Sequence, residues 1–286
     1  MPGGSGGGRD RRLPAAVRAP VALVERTGRW GLGTLENMGA ALTLVIKSLG
    51  WILRSAIDRK VRVGRPAIVS QIVRVGARSI FIVSLVSACV GLILAFQLSP
   101  PLDQFGQKEL TANIIAIAVL RELGPLIGAI VLTGFAGASI AAEIGTMVVG
   151  EEIEALEASA LDPVRFLVVP RVIAAVIAMT ALAVIANVVA ISAAMFISLV
   201  ALDIPASTYL ANTLQQAKLI DFLTGVAKAA VFGLLIGVIA CLNGLRVTGG
   251  AAGVGKATTA TVVQSVVAII IADLLFTAVF FALKLF

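Results

Sequence analysis

One stretch of the sequence has the residue spacing of a phosphate-binding loop. In "GGAAGVGKATT", residues 249–259, Gly250, Gly255 and Lys256 match the pattern G-x-x-x-x-G-K. A nucleotide-binding loop of this kind follows a buried strand, and it needs Ser or Thr after the lysine to hold Mg²⁺. Here the next residue is Ala257, and the stretch follows a long apolar run. The sequence therefore predicts a turn that leads into a helix, and no cofactor on this chain.

Charged side chains interrupt the apolar runs at several positions, four of which could act together. Arg121 and Glu122 are adjacent, whereas Lys228 and Asp273 occur in two later runs. A charge at the centre of a bilayer costs at least ~2.5 kcal/mol unless it is paired or hydrated. Because neighbouring helical residues point about 100° apart, Lys228 and Asp273 could complement Arg121 and Glu122 from other helices. Two interpretations stay open: a structural ion-pair network, or the polar lining of a pocket or pathway.

An acidic segment between two apolar runs predicts a docking surface. The residues "GEEIEALEASALDPVRFLVVPR", 150–171, place glutamates in a first helical turn, where the helix dipole favours anions. Asp162 and Pro163 are typical of a helix N-cap and first helical position. We expect a compact amphipathic helix that contacts a soluble partner. The residues assigned to it are Glu151, Glu152, Ile153, Glu154, Leu156, Glu157, Leu161 and Asp162.

Small residues recur every four positions in "GFAGASIAAEIG", residues 134–145. Such spacing produces smooth helix faces that let helix backbones approach closely in lipid. The candidate packing residues are Gly134, Gly137, Ala141 and Gly145. We favour packing within the protein over a seam between two copies.

The composition is that of a membrane protein. Of 286 residues, 59% are hydrophobic and only 14% are charged, well below the average of about 25% for soluble domains. The chain has no histidine, and its two cysteines lie within apolar runs, so metal and disulfide sites are disfavoured. The fold class predicted is an all-α polytopic membrane protein with about five transmembrane helices. The predicted spans are 79–102, 110–149, 172–202, 222–245 and 257–283.

The region before the first span is basic. Residues 1–29 are rich in Gly and Arg and predict a disordered tail. Residues 30–66 carry Trp30, Trp51 and a cluster of cations, a pattern typical of an interfacial amphipathic helix. A further span over 30–53 is the alternative. The basic flank indicates a cytoplasmic N-terminus, and the scarcity of interleaved aromatic residues disfavours nucleic-acid binding.

Several motifs together resemble the MlaE/YrbE family of ABC-transporter permeases. The resemblance runs from about Gln71 to the C-terminus, and it makes 67–286 the permease domain. The residues that carry it are "RELGP" (121–125), "AGASIAAEIGTM" (136–147), "EEIEALE" (151–157), "LDPVRFLVVPR" (161–171) and "GVGKATT" (253–259).

The resemblance implies a transporter subunit in the bacterial inner membrane that moves lipid, most generally phospholipid. Two permease copies would form the membrane core, with soluble ATPase subunits, which bind ATP and Mg²⁺, below them. An MCE-domain protein would form a ring on the outer side. The resemblance also implies that the segment Gly150–Leu161 is the coupling helix that contacts the ATPase. The positions it assigns to the lipid pathway are Arg121, Glu122, Lys228, Asp273 and Lys256.

Other functions remain as alternatives. An ion-coupled secondary transporter would use Glu122, Lys228 and Asp273 for coupling, but it would not need the capped acidic helix. A membrane scaffold without transport activity is a third reading. An intramembrane enzyme is disfavoured, because neither a catalytic carboxylate pair nor a nucleophile motif is present.

Overall fold

The computed structural model describes residues 39–51, 54 and 65–284. The tail predicted over 1–29 and much of the interfacial segment predicted over 30–66 lie outside these residues. Residues Met1–Thr43 and Leu44–Phe286 form separate units. Of the first unit, only 39–43 are described, and they are the helical start of α1.

Helices and turns make up the described residues, which contain no strand. The α-helices are α1 (Gly39–Trp51), α2 (Arg65–Val75), α3 (Ile80–Gln104), α4 (Leu110–Ala118), α5 (Gly124–Leu132), α6 (Ala138–Val149), α7 (Glu152–Ala158), α8 (Val169–Ala201), α9 (Ala206–Gln216), α10 (Leu219–Leu245) and α11 (Gly250–Ala282). A short 3₁₀ turn covers Ala77–Ser79. Wider π-helical turns cover Val119–Leu123, Thr133–Gly137 and Val164–Val168.

Five helical segments are long and apolar enough to cross a membrane, as the sequence predicts. They are Pro66–Gln104, Leu110–Val149, Val164–Ala201, Leu219–Leu245 and Gly250–Ala282. The described part of α1, Gly39–Trp51, is a shorter apolar helix. These findings confirm the all-α polytopic fold class.

The phosphate-loop-like stretch has a different conformation from the turn that we expected. Gly249 and Gly250 adopt left-handed backbone angles (φ 84° and 68°), which glycine allows without a steric penalty. Helix α11 then begins at Gly250 and continues without interruption. Thr258 and Thr259 donate hydrogen bonds to the carbonyl of Gly255. The stretch is therefore the first turns of a span, because small residues and lysine propagate a helix once the two glycines have reversed the chain.

Helix α8 lies at the centre of the bundle, where it packs against α2, α3, α5 and α10. Glycines allow the closest of these approaches. A Cβ atom at Gly233 would lie 2.7 Å from the carbonyl oxygen of Ala175, and one at Gly91 would overlap the carbonyl of Ala190. In lipid, such close backbone packing supplies much of the attraction between helices.

The second span is one long helix that widens twice. The first wide turn, Val119–Leu123, ends where the Gly124 N–H donates to the carbonyl of Val119, five residues back. Pro125 has no N–H and stands at the start of α5. The helix therefore widens without ending, and the widening falls at the adjacent charges Arg121 and Glu122.

Candidate functional site

The first wide turn carries two charged side chains toward α10 and α11. Wide turns of this kind occur often at functional sites, because they change the direction in which side chains point. A Cβ atom at Gly225 would overlap the carbonyl oxygen of Leu120. Gly225 thus lets α10 come directly against the turn that holds Arg121 and Glu122.

Lys228 is the centre of a charged cluster. Its side chain is 0% exposed, and its ammonium group donates to Glu122 Oε2 at 2.7 Å, Asp273 Oδ1 at 2.9 Å and Thr277 Oγ1 at 2.9 Å. The three donors of the ammonium group are therefore all used. Thr277 in turn donates to Glu122 Oε1 at 2.9 Å. Lys228 thus complements Glu122, as expected, whereas Asp273 is a second partner of Lys228, and the bonds join three spans.

Arg121 has a separate carboxylate partner. Its Nε donates to Asp221 Oδ1 at 2.7 Å, and Asp221 is 1% exposed. Asp221 and Lys228 are seven residues apart on α10, so they lie on the same helix face. Asp221 is not among the residues predicted from the sequence, because the predicted span begins at residue 222. The seven-residue spacing from Lys228 is the signal that could have found it.

The cluster combines two cations with three carboxylates. Its members are Arg121, Glu122, Asp221, Lys228 and Asp273. Lys228 is sealed from outside, whereas the side chains of Arg121 and Glu122 are 21% and 32% exposed. A buried charge is costly to leave unpaired, so the observed pairs agree with the interpretation of the cluster as a structural ion-pair network. The partial exposure leaves polar atoms accessible at the surface of an apolar bundle.

Lys256 lies apart from this cluster. It is 17 residues from Asp273 on the same helix, a separation of about 25 Å at 1.5 Å per residue. It lines a surface depression between α10 and α11 together with Asn243 and Arg246. The structure therefore does not bring Lys256 together with the other four residues assigned to one pathway.

The acidic segment forms a shorter helix than the sequence predicts. Gly150 ends α6 by donating to the carbonyl of Thr146, and Glu151 follows with a left-handed backbone (φ 57°). Helix α7 covers only Glu152–Ala158, because Ala160 also turns left-handed (φ 58°). Left-handed residues on both sides limit the helix to seven residues.

The side chains of this segment are accessible. Glu151, Glu152, Glu154 and Glu157 are all exposed, whereas Ile153 and Leu156 are half-buried and Leu161 is 38% exposed. The Asp162 cap is present, since its Oδ1 accepts the N–H of Val164 at 2.8 Å. The segment is thus an acidic projection between two spans with its charges directed outward.

A second charged group lies on α2, α6 and α8, and the sequence analysis did not assign it. Glu143 accepts from Arg74 at 2.7 Å and from Arg171 at 3.4 Å. Arg171 is 8% exposed and also donates to the carbonyl of Leu167. Glu143 is the only acidic residue between 123 and 150, which could have identified it. The carboxylate connects three helices near the acidic segment.

The small residues of the second span lie on two different faces. A Cβ at Gly145 would lie 2.8 Å from Val247 Cγ2, and one at Gly137 would lie 3.4 Å from Ile236 Cγ2. Ala141 is fully buried, and its carbonyl oxygen faces Gly244. These three residues therefore pack against other helices of the chain. Gly134 differs, because it is exposed and a Cβ atom added to it would have no contact within 4 Å.

Ionisation outside the spans is shifted at Tyr209 on α9. Its side chain is 1% exposed and packs among apolar residues of α3, α4 and α8. Burial raises the pKa of the Tyr209 hydroxyl to about 12, since the charged form would lose its hydration. The side chain therefore stays neutral at physiological pH. Among the described residues, no group of three or more Cys, Asp or Glu side chains could hold a metal ion.

The pattern of the family described as "Permease MlaE" matches residues 68–279. This stretch contains the charged cluster, the acidic segment and all but the ends of the five spans. The chain belongs to the MlaE permease family.

Two of three relatives of this MlaE-family chain bear transporter names. A "Probable ABC transporter permease protein" of Rickettsia bellii is 38% identical over 75% of this chain and 83% of its own length. A similarly named protein of Synechocystis is 34% identical over 74% of this chain and 81% of its own. The chloroplastic protein trigalactosyldiacylglycerol 1 of Arabidopsis thaliana is 34% identical over 74% of this chain and 60% of its own. The chain is thus a multi-pass membrane permease of the ABC-transporter type.

Proposed function

We propose that this chain is the permease subunit of an ATP-driven transporter that moves phospholipid between the bacterial inner membrane and an MCE-domain protein. The observation that carries the proposal is the cluster around Lys228. It holds charged and hydroxyl groups at the surface of an otherwise apolar bundle. An amphiphile needs both environments, because its acyl chains favour apolar walls and its headgroup favours polar partners.

The outer side of α11 supplies the apolar part of this pathway. Leu274 and Leu275, next to Asp273, are 69% and 60% exposed. In the most apolar stretch of α11, only 11% is buried within the chain, whereas 56% of the corresponding stretch of α10 is buried. Acyl chains lying along α11 would place a headgroup beside Glu122, Asp273 and Arg121. Lys256 would act at a separate position, at the other end of the same helix.

The acidic segment around α7 would transmit the work of ATP hydrolysis. Its glutamates are exposed and would complement a basic groove on a soluble ATPase, which would bind ATP and Mg²⁺. Closure of two such ATPase subunits would move α7 and alternately expose the lipid cavity. Two permease copies would enclose that cavity, and the MCE-domain protein would receive or deliver lipid on the opposite side.

The names of the relatives support two parts of this proposal, the ATPase partners and the lipid substrate. "ABC transporter permease" denotes a membrane subunit that works with ATPase partners. The Arabidopsis name contains that of a galactolipid, which favours a lipid substrate. The N-terminus would then lie in the cytoplasm, on the side of the ATPase and the basic flank.

Charge reversal on α7 tests the proposal. Glu152→Lys, Glu154→Lys and Glu157→Lys together should abolish co-purification of ATPase subunits from the native host, because three attractive charges become repulsive. The variant should remain monodisperse, since these side chains are exposed. Asp103→Lys, an exposed acid in the last turn of α3, is the matched control and should retain the ATPase.

Mass spectrometry of lipid retained by the purified complex identifies the cargo in the same sample. Phospholipid together with an ATPase and an MCE-domain protein is the expected result. Transport that persists without any ATPase would instead support an ion-coupled secondary transporter, in which the carboxylates bonded to Lys228 carry the coupling ion.

A further inference from the structure

Trp51, the last residue described in α1, contacts a residue 111 positions away. Its indole N–H donates to Asp162 Oδ2 at 3.0 Å. The other carboxylate oxygen of Asp162 accepts the N–H of Val164 at 2.8 Å and so caps the start of the third span. One carboxylate thus joins Trp51 to the residues where the acidic segment ends and the third span begins.

Two aromatic rings and two cations reinforce this hydrogen bond. The Arg165 guanidinium carbon lies 5.2 Å from the Trp51 ring centroid and 5.3 Å from that of Phe166. Arg54 lies 5.4 Å from the Trp51 ring. These distances are within the range of cation–π attraction, for which tryptophan is the strongest aromatic partner. The contact is therefore directional, and it depends on the indole as well as on its N–H.

The part of α1 that carries Trp51 is attached to the bundle by its own inner face. Leu44 and Ser48 are 7% and 2% exposed and stand one helical turn apart, whereas Ile46 and Leu49 are 62% and 53% exposed. Residues 44–51 thus have a buried face and an exposed apolar face. A displacement at Asp162 would pass to this stretch through Trp51.

We propose that Trp51 is a positioning residue that makes residues 44–51 move together with the acidic segment. When a partner pushes on α7, the start of the third span shifts, and Asp162 and Arg165 carry the end of α1 with them. Residues 44–51 then become a second element that moves when the ATPase subunits close. This role rests on the proposed function of α7, but the contact itself can be tested without any partner.

The first experiment measures the contact in the full-length chain in lipid nanodiscs. The sequence has two tryptophans, so Trp30→Phe leaves Trp51 as the single tryptophan of the chain. Asp162→Asn keeps a side chain that can cap the helix, but it removes the charge and one acceptor oxygen. We expect it to increase quenching of Trp51 by acrylamide, whereas Glu157→Gln, another exposed acid of the segment, should not. Unchanged quenching in Asp162→Asn would overturn the proposal.

The second experiment measures lipid moved per ATP hydrolysed by the assembled complex in proteoliposomes. Trp51→Phe keeps a ring for Arg165 but has no N–H to donate, and it should lower this ratio about five-fold, the factor expected for one hydrogen bond. The ATPase should still co-purify and hydrolyse ATP. Leu49→Ala, on the exposed face of the same helix, should leave the ratio unchanged.

The two experiments separate the possible failures. A wild-type complex that contains no ATPase would contradict the proposed function, and the quenching result would still decide the contact. A Trp51→Phe complex that couples as well as the wild type would overturn the positioning role. Loss of the ATPase from that variant would also overturn it, because Trp51 would then belong to the docking surface.

Discussion

At the scale of the residue, Lys228 determines whether the charged cluster can exist in a membrane. A fully buried ammonium group is tolerated because Glu122, Asp273 and Thr277 accept its three hydrogen bonds. The positive charge of the ammonium group also compensates the repulsion between the carboxylates of Glu122 and Asp273. Lys228 is therefore both a structural requirement and the counter-charge of the groups that remain partly exposed.

Replacing Lys228 with methionine should destabilise the chain strongly. Lys228→Met leaves Glu122 and Asp273 without their cation, and breaking a buried pair in this way costs about 3–5 kcal/mol. Reversible unfolding in mixed micelles measures the free energy of unfolding. Lys256→Met serves as the control, since Lys256 is exposed and its removal should change that free energy little.

A neutral triple variant distinguishes stability from function. Lys228→Met combined with Glu122→Gln and Asp273→Asn removes the unpaired charges and should recover most of the lost stability. If the cluster binds a headgroup, lipid transport should stay low in this variant. A triple variant that transports at the wild-type rate would show that the cluster is structural only.

At the scale of the element, the wide turn at Val119–Leu123 depends on glycines in neighbouring positions. The π-helical hydrogen bond to Val119 and the missing N–H of Pro125 leave the carbonyl of Leu120 facing α10. Only a residue without Cβ fits opposite it, which explains Gly225. Gly124 has a similar role, because a Cβ there would overlap the amide of Asn187 on α8.

Gly225→Ala should therefore separate α10 from the second span. Overpacking of this kind costs about 1–3 kcal/mol, and the displaced helix would also lengthen the bonds from Lys228 to Glu122. Unfolding in mixed micelles and the yield of folded protein report the change. Gly134→Ala is the matched control, because open space surrounds Gly134. Equal stability of the two variants would contradict the close approach.

At the scale of the whole molecule, an odd number of spans would place the residues before the first span and those after the last span on opposite sides of the membrane. Under the proposed function, the basic residues before the first span would mark the cytoplasmic side, where α7 would meet an ATPase. The turn between α3 and α4 and the amphipathic helix α9 would lie on the other side. This arrangement requires that α1 does not cross the membrane.

Topology reporters fused before residue 39 and after residue 284 should report opposite sides. We expect the reporter before residue 39 to be active in the cytoplasm and the one after residue 284 to be active outside. Activity of both reporters on one side would mean that the region around α1 spans the membrane, as the alternative for 30–53 supposes.

Much of the fold follows from local patterns. Apolar runs longer than a bilayer is thick identify each of the five spans, and Asp162–Pro163 identifies the start of the third. The hydrophobicity pattern did not predict where the helices begin and end, because tertiary contacts determine those positions. Polar residues such as Arg165 and Asp221 extend their helices because partners on other elements satisfy them. Glu151 and Ala160 shorten α7 through left-handed backbone conformations that sequence periodicity does not reveal.

By itself, the sequence determined the class of the protein, its spans and the four charges that a membrane would force into pairs, because hydrophobicity and helical spacing are local properties. The partners of these charges depend on how the helices pack. The tertiary structure paired Arg121 with Asp221, joined Glu143 to Arg74 and Arg171, and separated Lys256 from Asp273. It also seated the indole of Trp51 on Asp162. These relations depend on how helices cross at glycines, and that geometry exists only once the whole bundle has packed.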